Sequence, residues 1–184
     1  MTDLLRFEEV SLRRGGRLLF EGMSFALGPG DGLQVAGPNG SGKSSLLRLA
    51  AGLLMPERGS ILRSPPALAD EHGALDRERT LSDALRFWSG SDPAPSLDAL
   101  GLAQLAAVPV RYLSSGQLKR ATIARVAGSG RALWLLDEPL NGLDAEGAQR
   151  LAELLARHRS GGGAVVAASH LALPGEWTQL ELGR

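Results

Sequence analysis

Eight consecutive residues offer the clearest chemistry in the chain: Gly37, Pro38, Asn39, Gly40, Ser41, Gly42, Lys43 and Ser44. Two glycines separated by four residues, then a lysine and a hydroxyl, make a complete Walker A pattern. The glycines let backbone N–H groups converge on the β and γ phosphates of a nucleotide. The helix that follows, opening near Ser45, turns its positive end to the same anions. Lys43 would bridge the β and γ oxygens, and the Ser44 hydroxyl would ligate Mg²⁺. At average residue frequencies such a pattern arises by chance in well under about 1 % of chains of this length.

A second group answers the first. The apolar run Leu133 to Leu136 ends in Asp137 and Glu138, a Walker B pattern. A buried strand would carry Asp137 to the sheet edge to hold Mg²⁺ through water, and Glu138 could polarise an attacking water. Basic residue usage sharpens the reading. Of twenty basic side chains only Lys43 and Lys119 are lysine. A compact ammonium suits a backbone wrapped closely round a phosphate better than a forked guanidinium does.

These groups need strands and helices to hold them. Alternation around Phe7, Val10 and Leu12, then Leu19 and Phe20, then Phe25 and Leu27 predicts an N-terminal β-meander. Leu33 to Ala36 is a strand leading into the glycine turn. Helical spacing from Ser45 to Leu54 follows, stopped by Pro56, and Ser60 to Arg63 is a further strand. Residues 64–112 mix proline pairs, glycine and short amphipathic stretches such as Thr80 to Trp88, which suggests a small helical insertion. Ser114 or Ser115 caps a helix running to about Ala127. Leu151, Leu154, Leu155 and His158 share a helix face. Ala164 to Ala168 is a buried strand ending at His170, and Thr178 to Leu182 is one more short strand.

Composition excludes several classes. The chain has 184 residues, 43 % hydrophobic and 22 % charged, enough for a sizeable core and unlike a disordered chain. Twenty basic against twenty acidic residues give no net charge, which argues against a surface made to neutralise nucleic acid. With no cysteine, disulfides, thiolate metal sites and cysteine nucleophiles are ruled out. No apolar run approaches the roughly 20 residues that cross a bilayer. The N-terminal residues lack the basic start and apolar stretch of a secretory signal.

Tyr112, Leu113, Ser114, Ser115, Gly116 and Gln117 narrow the class further. Leu-Ser-x-Gly-Gln before a basic helix, then Leu-Leu-Asp-Glu-Pro, then Asn141 to Asp144, then Ser169 and His170 resembles the ATP-binding cassette ATPases, in their usual order. The resemblance spans the chain apart from its middle. It implies an α/β P-loop NTPase fold with an N-terminal antiparallel β-subdomain and a small inserted helical subdomain. The 184 residues would form one nucleotide-binding domain, with about 64–127 as the helical subdomain including the signature helix.

It also implies a head-to-tail homodimer that hydrolyses ATP with Mg²⁺. Ser114, Ser115, Gly116 and Gln117 of each copy would close over the nucleotide of the other, offering free N–H groups and a helix N-terminus. Asp144 would stand at the dimer seam as the D-loop aspartate. His170 would be the switch histidine that contacts the γ-phosphate and orients water beside Glu138. His72 and His158 are read as loop and helix-face residues, and Trp88, Trp134 and Trp177 as packing.

Two family features are missing. The aromatic residue that usually stacks on adenine has no counterpart in Ser11 to Gly16, which leaves Arg13 or Arg14 to stack on the base. The usual glutamine after the Walker A region is also absent, since no Gln occurs between Gln34 and Gln104. Asp70, Glu71 or His72 would take its place.

Among cassette ATPases, transporter subunits usually continue well past the switch histidine, whereas fourteen residues follow His170 here. This length, together with Arg14 to Phe20, Ala132 to Glu138, the Gly-Gly-Ala-Val-Val before Ser169 and the Leu-Glu-Leu-Gly ending, resembles the ATP-binding subunits of cytochrome c maturation, the haem-exporter type. The resemblance implies a peripheral protein on the cytoplasmic side of a bacterial inner membrane, bound to integral membrane subunits and not to nucleic acid. Another small transporter ATPase, for metals or lipids, is the alternative, followed by a non-transport cassette protein. Tandem translation factors need two motif sets, and DNA-repair members carry long coiled coils; neither is visible.

Overall fold

The computed structural model describes residues 3–70 and 74–183. β1 (Leu5–Arg14) and β2 (Arg17–Leu27) form one long hairpin around Gly15 and Gly16, and β4 (Arg58–Arg63) pairs antiparallel with the other edge of β1. The expected meander is therefore a hairpin plus a later strand. The two short strands anticipated at 19–20 and 25–27 are a single one, because β2 runs unbroken through Gly22 and the hairpin absorbs the irregularity in shifts of register between Phe7 and Arg13 of β1.

A second, five-stranded sheet is parallel throughout, in the order β5 (Pro66–Ala69), β6 (Leu133–Asp137), β7 (Ala164–Ala168), β3 (Gly32–Ala36) and β8 (Thr178–Glu181). Both faces are covered, so Leu133 to Leu136 of β6 and the whole of β7 are apolar without alternation. Along β6, Leu133 and Leu135 join the core beneath β1, β2 and α1 (Lys43–Ala51). Trp134 and Leu136 join a second core. That one is built with α2 (Leu81–Ser89), α3 (Ala94–Ala99), α4 (Ser115–Ala127) and α5 (Ala145–Ser160).

Two expectations fail in instructive ways. α1 ends at Gly52 in a left-handed conformation, with its N–H on the Leu49 carbonyl, well before Pro56. Residues 66–69, anticipated inside the helical insertion, are the edge strand β5 of the parallel sheet. Pro66, Ala67, Leu68 and Ala69 pair with Leu133, Trp134, Leu135 and Leu136, a partnership that their own composition does not announce. The helices between 81 and 127 bear out the helical insertion itself.

Candidate nucleotide site

Topology gathers the chemistry. β7 lies between β3 and β6, and its Ala168 is level with Val35 on one side and Asp137 on the other. The glycine turn, Ser169–His170 and Asp137–Glu138 therefore leave the sheet side by side at its C-terminal edge, where open α/β sheets bind ligands.

The glycine turn is built tightly. Gly37 has φ 140°, and a Cβ there would lie 2.5 Å from the Leu182 carbonyl oxygen, so the position excludes any side chain. Ser41 N–H closes the turn on the Pro38 carbonyl at 3.2 Å. Lys43 is buried, and its Nζ donates to the carbonyls of Gly37 at 2.7 Å and Pro38 at 3.2 Å. No acidic residue lies in the first turn of α1, leaving the positive helix end unneutralised. Ser41 Oγ is buried and has no hydrogen-bond partner among the described residues. A cradle of this kind, with a buried ammonium and a spare hydroxyl, fits an anion.

A cleft of about 750 Å³ opens in front of it. Asn39, Gly40, Gly42, Lys43, Ser44 and Ser45 line one wall, and Asp137, Glu138, Asn141, Gly142 and Ser115 line the other. Arg14, Asp70 and Lys119 also line it. Arg14 donates to Ser45 Oγ at 3.4 Å, while Arg13 turns to the Gly16 carbonyl and Glu57. Of the two arginines read from the sequence, Arg14 is thus the one at the cleft. Asp70 lines it too; Glu71 and His72 lie outside the described residues.

Glu138 carries backbone strain. Its φ is 45°, a left-handed conformation costing a non-glycine residue of order 1–3 kcal/mol. Its N–H bonds the Ala168 carbonyl at 2.8 Å, and its Oε2 lies 2.8 Å from His170 Nδ1. A carboxylate only accepts, so Nδ1 carries the proton in this pair. The turn that presents His170 is fixed by buried Ser169. Its Oγ donates to the Leu171 carbonyl at 2.8 Å and accepts from Leu171 N–H at 3.1 Å.

Sequence reasoning missed Gln34. This buried side chain in the middle of β3 donates to the Leu171 carbonyl at 2.8 Å and accepts from Leu173 N–H at 3.2 Å. It pins the segment after His170 to the sheet. A lone amide in the run Leu33-Gln34-Val35 was the available signal.

The signature segment starts α4. Ser114 Oγ accepts from Gln117 N–H at 3.2 Å, and Gln117 Oε1 accepts from Ser114 N–H at 2.9 Å, a reciprocal capping box. Ser114 and Ser115 are exposed. Gly116 packs against the Gly142 carbonyl, which a Cβ would approach to 2.7 Å. Asp144 is the N-cap of α5, its carboxylate accepting from Gly147 N–H at 2.7 Å, and it stands apart from the cleft lining.

Likeness to known proteins agrees with this geometry. A family model described as "ABC transporter" matches residues 20–141. The chain is 51 % identical over 180 residues to the cytochrome c biogenesis ATP-binding export protein CcmA of Sphingopyxis alaskensis, covering 94 % of this chain and 93 % of that protein. It is 52 % identical over 164 residues to the protein of the same name from Novosphingobium aromaticivorans, covering 88 % and 86 %. The structure of an ATP-binding subunit of an ABC transporter superposes with TM-score 0.84 at 23 % identity, over 91 % of this chain and 80 % of that one. An ABC transporter ATP-binding protein from Pyrococcus furiosus gives 0.85 at 19 %, over 97 % and 96 %; these two likenesses speak to the fold. The chain belongs to the ABC transporter family, as one of its ATP-binding domains.

Proposed function

We propose that the chain is the ATP-hydrolysing subunit of a cytochrome c biogenesis exporter, coupling ATP turnover to haem release or export by integral membrane subunits. The reading is carried by the pairing of Glu138, which lines the Lys43 cleft, with His170. The half-identical relatives bearing the exporter name support its biological setting. All 184 residues act as one nucleotide-binding domain, with the helical part of about 64–127 inserted around the edge strand 66–69.

When ATP enters, the Lys43 ammonium exchanges the Gly37 and Pro38 carbonyls for β and γ oxygens. The N–H groups from Gly40 to Ser45 and the Ser41 hydroxyl take the rest of the phosphate charge. Arg14 lies against the base. Water attacks the γ-phosphorus, the bond to the β-bridging oxygen breaks, and Glu138 accepts the water's proton while His170 orients it. Ser44 and Asp137 would hold Mg²⁺, which supplies neutralisation of the phosphate charge. They suit an ion shared with phosphates, because the described residues form no cluster of three or more metal-binding side chains that would cage it alone.

The exposed Ser114 and Ser115 let Ser114, Ser115, Gly116 and Gln117 of a second copy cover the γ-phosphate, in a homodimer with Asp144 at the seam. Among the described residues no helix is long and apolar enough to cross a membrane. The chain would sit peripherally on the cytoplasmic side of the inner membrane, with no nucleic-acid partner.

Lys43→Ala should abolish nucleotide binding in equilibrium dialysis. Ser115→Arg should still bind ATP through Lys43 and the glycine turn yet lose turnover, because the added side chain obstructs closure over the partner's nucleotide. Turnover surviving in Ser115→Arg would refute the composite site. Recovery of the tagged chain from membranes without any integral membrane protein would refute the exporter assignment.

A further inference from the structure

We propose that Lys119 is a positioning residue that clamps the peptide between Asp137 and Glu138 and thereby ties α4 to the end of β6. The inference rests on ATP hydrolysis at the cleft. It assigns a task to the second of the chain's two lysines. Lys119 is half-buried in the cleft wall, and its Nζ donates to the Asp137 carbonyl oxygen at 2.7 Å.

That carbonyl belongs to the same peptide unit as the Glu138 N–H, which is held 2.8 Å from the Ala168 carbonyl. The plane is thus gripped from both ends, its C=O by the lysine and its N–H by β7. Such a grip fixes the plane from which Glu138 must rotate to its φ of 45°. A left-handed glutamate persists only where its surroundings over-determine it, and Lys119 is half of that determination. Glu138 thereby keeps its carboxylate on His170.

The other end of the clamp is the helix that carries the signature. Ser115 precedes Lys119 by four residues, about one turn or roughly 6 Å along the axis. The first turn is stiffened by the Ser114–Gln117 capping box and seated by Gly116 against the Gly142 carbonyl. Next to Lys119, Arg120 donates to the Leu100 carbonyl at 3.1 Å and holds the helix to the end of α3. A shift of the signature tip therefore pulls on Asp137 and Glu138 directly, through one ammonium. A contact at the tip can set the geometry of the catalytic carboxylate in the same chain.

The test compares Lys119→Met, which keeps the bulk and removes the donor, with Lys119→Arg, which keeps a charged donor, in the full chain. Steady-state ATPase should show kcat for Lys119→Met reduced roughly 10-fold or more, the order expected for one charge-assisted hydrogen bond. KM should stay within about two-fold, and Lys119→Arg should regain most of the loss. Equal loss in both variants, a KM rise matching the kcat fall, or a Lys119→Met kcat within about two-fold of wild type would overturn the proposal. Should Lys119→Met not fold, Lys119→Gln is measured instead. A reduced kcat at unchanged KM would support the clamp, and a wild-type kcat would overturn it. Absence of ATPase in the wild-type chain would instead defeat the hydrolysis reading on which this rests.

Discussion

The two ends of the parallel sheet each carry a histidine, and they use it in opposite ways. At the C-terminal edge His170 is about half exposed, stands on a turn fixed by Ser169, and meets the strained Glu138 at 2.8 Å. At the other edge His158 of α5 stacks on Trp134 of β6, with ring centroids 3.6 Å apart and 12° between planes. Its Nε2 lies 3.0 Å from the Ala132 carbonyl, and burial pushes its pKa below the ordinary histidine range against the pull of that carbonyl. One end stores strain and presents polar groups to a cleft. The other satisfies its polar atoms and packs. Residue type alone does not assign a role; the neighbours do.

This contrast can be broken by substitution. Trp134→Ala removes the platform under His158 and should cost about 3–5 kcal/mol of stability, the range for deleting a buried indole. Urea unfolding would read that loss, while kcat per folded molecule should remain within about two-fold of wild type. A large kcat fall in folded Trp134→Ala would mean the two ends are not separate. Glu138→Gly tests the opposite case. It relieves the left-handed strain and should stabilise the fold by about 1 kcal/mol while abolishing turnover. Destabilisation would show that the conformation is not strained.

The smallest effect expected is in pH. Because the folded-state pKa of His158 is lowered, the unfolded chain takes up the proton more readily. The stability linked to this histidine is complete above its ordinary pKa of 6.5 and is lost as the pH falls through the lowered folded value. Melting temperature should therefore drop with acidification below about pH 6.5, and His158→Phe, which keeps the stack, should flatten that slope. An unchanged slope would assign the acid sensitivity elsewhere.

Legibility in the sequence followed how local the physics is. The Walker A turn, the apolar run before Asp137 and the Ser114 cap are set by neighbours a few residues apart, and each lies where its pattern predicts. Pro66 to Ala69 is a strand only because β6 offers it an edge. Helix α1 stops at Gly52 because a left-handed turn ends it before Pro56 can act. Gln34 and Lys119 were opaque for the same reason. Their partners, Leu171 and Leu173 for one and Asp137 for the other, are distant in sequence and are backbone groups, which leave no trace in residue types. The choice between Arg13 and Arg14 likewise needed the hairpin to decide which side chain turns to Ser45.

The most direct measurement is a paired titration and turnover assay on Glu138→Gln. If Glu138 accepts the water's proton, the variant binds ATP with near wild-type affinity and its kcat falls roughly 10²–10⁴-fold. A kcat within about two-fold of wild type, with binding intact, would contradict the account.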